Sequence, residues 1–207
     1  MKTGLTGPPA VEWAVASRAL PGESESGDAY VVRSSDAGTL VAVVDGLGHG
    51  REAAVAARAA VSALEACTPE SITDVIKQCH EVLARTRGAA MSMALFSSRE
   101  CTMTWLGVGN VQGVLIPGDC NETRRREYLL LRGGVVGFRL PSLRPSKLGI
   151  VPGDTLVLAT DDIASDFAQG VLTYDAPGRI ADGILNRYRR GGDDALVLVA
   201  RYLGWGQ

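Results

Sequence analysis

Thr39-Leu40-Val41-Ala42-Val43-Val44-Asp45-Gly46-Leu47-Gly48-His49-Gly50 runs from an unbroken apolar segment into a carboxylate, and then into alternating glycines. An apolar run with no polar alternation predicts a strand buried on both faces, ending at Asp45. The glycines allow a sharp exit, and the alanine-rich segment from Arg51 to Ala66 predicts a helix directly after it. A buried strand delivering an acid into a glycine loop at a helix start is the nucleus of the fold.

Upstream, Val11 to Leu20 reads as a strand, Pro21 to Gly27 as a loop, and Asp28 to Arg33 as a strand joined to Thr39–Val44 by a turn at Ser35 to Gly38. Downstream, Thr68-Pro69-Glu70 reads as a helix start with Thr68 as N-cap. Ile72, Val75, Ile76, Cys79, Val82 and Leu83 continue it at helical spacing to about Arg85. Strands are predicted over Ala90–Phe96, Cys101–Val108, Val111–Ile116, Tyr128–Leu131 and Thr155–Thr160, with turns at Gly109-Asn110, 117–119 and 152–154. A short helix near Ile163–Ala168, a longer one near Gly178–Arg189 and a closing strand at Ala195–Tyr202 complete the chain. Strands in runs, interrupted by helix pairs, indicate an α+β class with two packed sheets flanked by helices. No linker or repeat divides the chain, so residues 1–207 are expected to form a single domain.

Composition narrows the function classes. With 46% hydrophobic and 21% charged residues the chain has a globular balance, and a net charge of −2 offers no general attraction to nucleic acid or anionic membrane. The basic runs Arg124-Arg125-Arg126 and Arg187-Tyr188-Arg189-Arg190 read as solvated loop or helix ends. Met1 to Pro9 lacks the apolar core of a secretory signal, and no apolar stretch approaches the ~20 residues that span a bilayer. Cys67, Cys79, Cys101 and Cys120 have no metal-ligand spacing, so four buried thiols in a cytoplasmic protein are expected. Trp13, Trp105 and Trp205 read as packing groups, and Met91, Met93 and Met103 as core.

The chemistry lies in where the aspartates fall. Asp28 opens a strand, Asp45 and Asp161-Asp162 close two apolar ones, and Asp193-Asp194 lead into the last. Carboxylates gathered at one lip repel one another and lose hydration unless cations neutralise them. Hard oxygen donors suit Mg²⁺ or Mn²⁺, and the lack of Cys/His clusters argues against zinc. A single Asp at such a place is more often a cap or turn residue; four together weaken that reading without excluding it. The glycines follow Asp45 at offsets one, three and five, which does not fit the Asp-x-Gly-x-Gly of histidine-kinase-like ATP sites. The helix start near Arg51 favours an anion such as phosphate.

At these residues the sequence resembles the metal-dependent protein phosphatases (PPM, two-C type), in the bacterial branch around SpoIIE and RsbU. The matching blocks are Gly27-Asp28, Val44-Asp45-Gly46 with Gly48-His49-Gly50, Ala159-Thr160-Asp161 and Gly192-Asp193-Asp194. Arg87 to Met91 and Gly107 to Asn110 are similar to intermediate blocks, all in family order. The resemblance implies a four-layer αββα sandwich of two antiparallel β-sheets flanked by helix pairs. It also implies serine/threonine phosphatase activity with two divalent metal ions, Mn²⁺ or Mg²⁺, and metal-activated water as the nucleophile. Asp45 would bridge the ions, with Asp28 and the Gly46 carbonyl on one and Asp161 and Asp193 on the other. Asp162 and Asp194 would support from behind.

Within the branch, the segment Gly137 to Arg144 and the short N-terminus look like the stand-alone stressosome phosphatases of RsbX type. No regulatory region is then expected, and the implied partners are phosphorylated STAS-domain proteins of the stressosome, RsbS-like and RsbR-like, acted on by a monomer. An RsbU-like role on an anti-anti-sigma factor is the alternative, and a catalytically silent binding module a third. The family's usual Thr-Asp-Gly is Thr160-Asp161-Asp162 here, and Leu47 stands where animal members carry a histidine. His49 is the candidate proton donor, against a plainer role in helix entry, and Arg51 and Arg139 are candidates for guiding a phosphoprotein.

Overall fold

The computed structural model describes residues 9–67, 71–97, 99–118, 124–171 and 173–205. Its elements are β1 (Pro9–Arg18), β2 (Asp28–Ser35), β3 (Gly38–Gly46), α1 (Gly50–Ala66), α2 (Ile72–Leu83), β4 (Ala89–Ser97) and β5 (Thr102–Val108). There follow β6 (Gln112–Ile116), β7 (Glu127–Tyr128), β8 (Ser146–Gly149), β9 (Thr155–Ala159), α3 (Pro177–Tyr188) and β10 (Ala195–Trp205). Two antiparallel sheets result, in the orders β2-β3-β4-β5-β8 and β1-β10-β9-β6-β7.

The unbroken apolar strands are explained by what lies on each side of them. In β3, Leu40, Ala42 and Val44 face α1 and α2, while Val41 and Val43 face the other sheet. In β10, Val197 and Val199 face α3 and Leu196, Leu198 and Ala200 face inward. Period-two alternation therefore persists, with both faces apolar because both are covered. Each fully buried Leu or Val contributes about 1.5–3 kcal/mol. Ala53, Ala56, Ala57 and Ala60 are buried on α1, and their small side chains let the helix backbone lie close on the sheet.

The sheets are joined by Phe96 of β4 and Tyr202 of β10, stacked with centroids 6.2 Å apart and both fully buried. Phe96→Ala is expected to lower the unfolding free energy by about 3–5 kcal/mol, measured by urea denaturation, because a cavity opens between two sheets that cannot collapse independently.

Several expectations change. Over the second sheet lie one α-helix, α3, and a short 3-10 turn at Phe167–Gly170. α2 opens at Ile72 after an extended Ser71; Thr68, Pro69 and Glu70 lie outside the described residues, as does Cys120. Cys67 and Cys79 are buried, but Cys101 is exposed, so the thiols are not uniformly core. The basic runs are not uniformly solvated either. Arg124 donates to both oxygens of fully buried Asp154 at 2.7 and 2.6 Å, and the Arg189 side chain is only 13% exposed. Trp105, Met91, Met93 and Met103 are core, whereas Trp13 is 43% exposed and tilts against Tyr30. Among the described residues, no helix is long and apolar enough to cross a membrane.

Candidate active site

Strand alternation decides where Asp45 points. Following Val41 and Val43, it falls on the face toward the second sheet, at the strand end where the two sheets part. Asp28 is its direct antiparallel partner across β2 and β3, so two carboxylates project side by side. The second sheet closes over them through Thr160. Its hydroxyl accepts from Leu196 N (2.8 Å) and donates to Asp28 Oδ2 (2.8 Å), which fixes that carboxylate from the opposite layer.

Asp161, just past β9, stands at the open rim, held by Asn110 Nδ2 donating to its Oδ2 at 2.7 Å. Asp193 accepts the Asp194 amide at 2.8 Å. Asp162 and Asp194 face differently. Both oxygens of Asp162 accept backbone amides, from Gly191 and Gly192 at 2.9 Å each. Both oxygens of Asp194 also accept amides, from Leu20 (2.8 Å) and Gly27 (2.6 Å). Asp162 thereby shapes the loop carrying Asp193, and Asp194 ties the start of β2, and so Asp28, to the start of β10. Arg189 completes the clamp. Its Nη2 donates to the carbonyls of Ala19 (3.3 Å) and Asp193 (3.2 Å), and its Nε lies 3.2 Å from Asp162 Oδ2 as an ion pair without hydrogen-bond alignment.

Around Asp28 and Asp45 this assembly is dominated by like charge. Burial, and then Asp45, hold the Asp28 carboxyl well above the usual carboxylate range, with the Thr160 bond opposing. Burial, followed by Asp161, Asp193 and Asp194, pushes Asp45 up to about 7. Asp161 is raised by burial and by Asp193, against the bond from Asn110. Among the described residues, no three His, Cys, Asp or Glu side chains are drawn together as a ready-made ion cage. The donors are all oxygen, which fits a hard divalent ion and not zinc.

The glycine loop is held from three sides. Gly46 N donates to Gly27 O (2.9 Å) and Leu47 N to Gly88 O (3.1 Å). A Cβ on Gly46 would lie 2.3 Å from the Ala53 carbonyl oxygen, so only glycine lets α1 seat against the end of β3. Gly48 has φ +85°, a left-handed turn that brings His49 to the N-cap of α1. His49 makes no cap bond; its Nδ1 lies 2.7 Å from Glu23 Oε1 and its side chain is 59% exposed. Arg51 and Arg139 are both exposed.

A family model described as Stage II sporulation protein E (SpoIIE) matches residues 35–203. The chain belongs to the SpoIIE family. Phosphoserine phosphatase RsbX of Bacillus subtilis (strain 168) is 30% identical over 94 residues, 45% of this chain and 47% of RsbX. The match thus spans about half the length of that curated relative. A chain from the structure described as "The bacterial stressosome: a modular system that has been adapted to control secondary messenger signaling" is 27% identical. It superposes with a TM-score of 0.80, over 93% of this chain and 100% of that one. The crystal structure of RsbX in complex with magnesium, at 21% identity, covers 93% of this chain and 95% of its own with a TM-score of 0.81, which shows the shared fold. This is a SpoIIE-type PPM phosphatase domain.

Within the SpoIIE-type domain, four site residues carried no role in the sequence. Thr160 hides at the end of an apolar run, and Asn110 reads as turn material. Glu23 sits among ordinary loop residues, and Arg189 in a basic run. Only a three-dimensional partner gives each its task.

Proposed function

We propose that this chain is a divalent-metal-dependent protein serine/threonine phosphatase of RsbX type, acting in the cytoplasm on phosphorylated STAS-domain stressosome proteins, RsbS-like and RsbR-like. The observation that carries the reading is the opposed pair Asp28 and Asp45, whose carboxyls are raised by burial and by the neighbouring aspartates, Asp161 and Asp193 among them. The similarity to RsbX and to the stressosome chain supports the substrate class.

In this reading Asp45, Asp28, the Gly46 carbonyl, Asp161 and Asp193 would hold two Mn²⁺ or Mg²⁺ ions. When bound, such ions activate water and neutralise charge on the transferring phosphoryl group. The chain's own residues hold the donors in place. Thr160 aims Asp28 by fixing one of its oxygens, Asn110 does the same for Asp161, and Asp194 and Asp162 fasten the loops that bear Asp28 and Asp193. The attacking group is water, so no protein nucleophile is needed.

Asp162→Ala leaves the Gly191 and Gly192 amides without their acceptor and loosens Asp193. It is expected to weaken metal activation by roughly 10- to 100-fold, read from the Mn²⁺ dependence of turnover. His49→Ala is expected to lower turnover by only about two- to tenfold, since the imidazole is exposed and engaged by Glu23. A loss as large as that of an Asp45 substitution would make His49 the proton donor.

The substrate reading is tested by offering phosphorylated RsbS-like, RsbR-like and RsbV-like proteins in parallel with Mn²⁺. Preference for the first two is expected; preference for the RsbV-like protein would favour the RsbU-like alternative. Binding of all three without phosphate release would favour the silent module.

A further inference from the structure

The loop at residues 83–88 carries two surface features that the metal-site chemistry does not use. On one side is a groove of about 490 Å³ lined by Arg51, Glu52, Val55, Arg85, Thr86 and Arg87. Three guanidinium groups there face a single carboxylate, Glu52, which pairs with Arg87. Val55 at its wall is 45% exposed.

On the other side is a tight turn that displays Phe138. This aromatic ring is 84% exposed, more than any other large apolar side chain among the described residues. It does not sit on a slack loop. Phe138 N and Arg139 N both donate to Val135 O (3.1 and 2.8 Å), and Val135 N returns a bond to Arg139 O (2.9 Å). Ala89 and Val136 exchange two backbone bonds of 2.9 Å, which fasten the turn to the first residue of β4. Gly137 N donates to His80 Nδ1 at 2.9 Å, and a Cβ on Gly137 would strike Leu83, so the turn also rests on the end of α2.

Turn, groove and active-site loop meet at Gly88. Its carbonyl accepts Leu47 N, its Cα lies against Val135 and Val136, and the neighbouring Arg87 guanidinium reaches Gly48. An exposed aromatic ring on a rigid support costs little ordering entropy on binding, which is how interface anchors are built. The arginines of the groove, and Arg139 in the turn, supply long-range attraction and bidentate partners for carboxylates.

From this arrangement we infer that Phe138, with Arg139 next to it in the turn and Arg51 and Arg85 in the groove on the other side of the loop, forms the docking surface for the phosphoprotein substrate. It engages an acidic face bearing an apolar recess beside the phosphorylated residue. The inference rests on the protein-phosphatase reading above and adds the surface by which the substrate is held. The surplus of arginine in the groove, in a chain of net charge −2, selects an acidic partner over a neutral one.

The test compares Phe138→Ala and Arg85→Glu with wild type on two substrates, a phosphorylated STAS-domain protein and p-nitrophenyl phosphate. Each variant is expected to lose roughly tenfold or more in kcat/KM on the phosphoprotein, mainly through KM. Hydrolysis of p-nitrophenyl phosphate, too small to reach the face, should stay within about twofold of wild type. Unchanged kcat/KM on the phosphoprotein would overturn the inference, as would equal losses on both substrates, which point to damage at the metal site. A wild-type protein that hydrolyses neither substrate would instead defeat the phosphatase reading, and the inference with it.

Discussion

Asp45→Asn should abolish metal-dependent phosphate release while making the metal-free protein more stable. Both effects follow from one carboxylate. In the proposed site Asp45 would hold the ions, so its loss would remove several kcal/mol of charge stabilisation, equivalent to a fall of roughly a thousandfold or more in kcat. Without metal the same carboxylate is a burden. It is half-buried beside Asp28 and raised to about 7 by burial and by Asp161, Asp193 and Asp194. An amide of the same shape removes that repulsion, and the gain at pH 8 in EDTA is on the order of a few kcal/mol. Thermal denaturation in EDTA and turnover in Mn²⁺ check the two halves together. Lower stability with full activity would mean that Asp45 is a structural residue.

The second large effect is the pH dependence of metal stabilisation. Asp45 binds a proton more tightly folded than unfolded, with the carboxyl raised from 3.8 to about 7. Between those values the folded state holds more protons than the unfolded state, so the stability of the metal-free protein falls as pH rises through this window. Asp28 and Asp161 are shifted in the same direction and add to the slope. Divalent ions compete with those protons and should stabilise most where the carboxylates are ionised. At a hundredfold excess over Kd the gain is about 2.7 kcal/mol at pH 8, shrinking toward pH 5. Melting temperatures with Mn²⁺ and with EDTA across pH 5–8 measure it; a constant difference would mean that ions bind elsewhere.

The sequence carried the frame of this molecule because burial on both faces leaves a plain signal. Leu40–Val44, Leu156–Ala159 and Ala195–Ala200 are apolar without interruption, and all lie in interior strands. β8 left no such signal. Ser146–Gly149 is largely exposed and joins the sheet by backbone pairing with β5 alone, so no hydrophobic pattern marks it. The predicted strand at Tyr128–Leu131 shrinks to Glu127–Tyr128 for the same reason.

The site divides in the same way. Asp45 and Asp161 follow apolar runs, Asp28 opens a strand and Asp193 precedes one, so the placement of these acids at strand ends was legible in the sequence. What separates Asp161 and Asp193, exposed and half-buried, from the buried Asp162 and Asp194 is not. The latter two are spent on amides up to 174 residues away, and neighbouring aspartates in a chain give no hint of which one turns inward. The direction of the Thr160 hydroxyl, and the use of Asn110 to hold Asp161, likewise depend on the second sheet closing over the first.

The most direct measurement is phosphate release from p-nitrophenyl phosphate and from a phosphorylated STAS-domain protein by the wild-type chain, in Mn²⁺ and again after EDTA. The expected result is release from both that stops on chelation and returns when Mn²⁺ is restored. Release that continues unchanged in EDTA, or no release with Mn²⁺ present, would contradict the account that these carboxylates exist to hold catalytic metal.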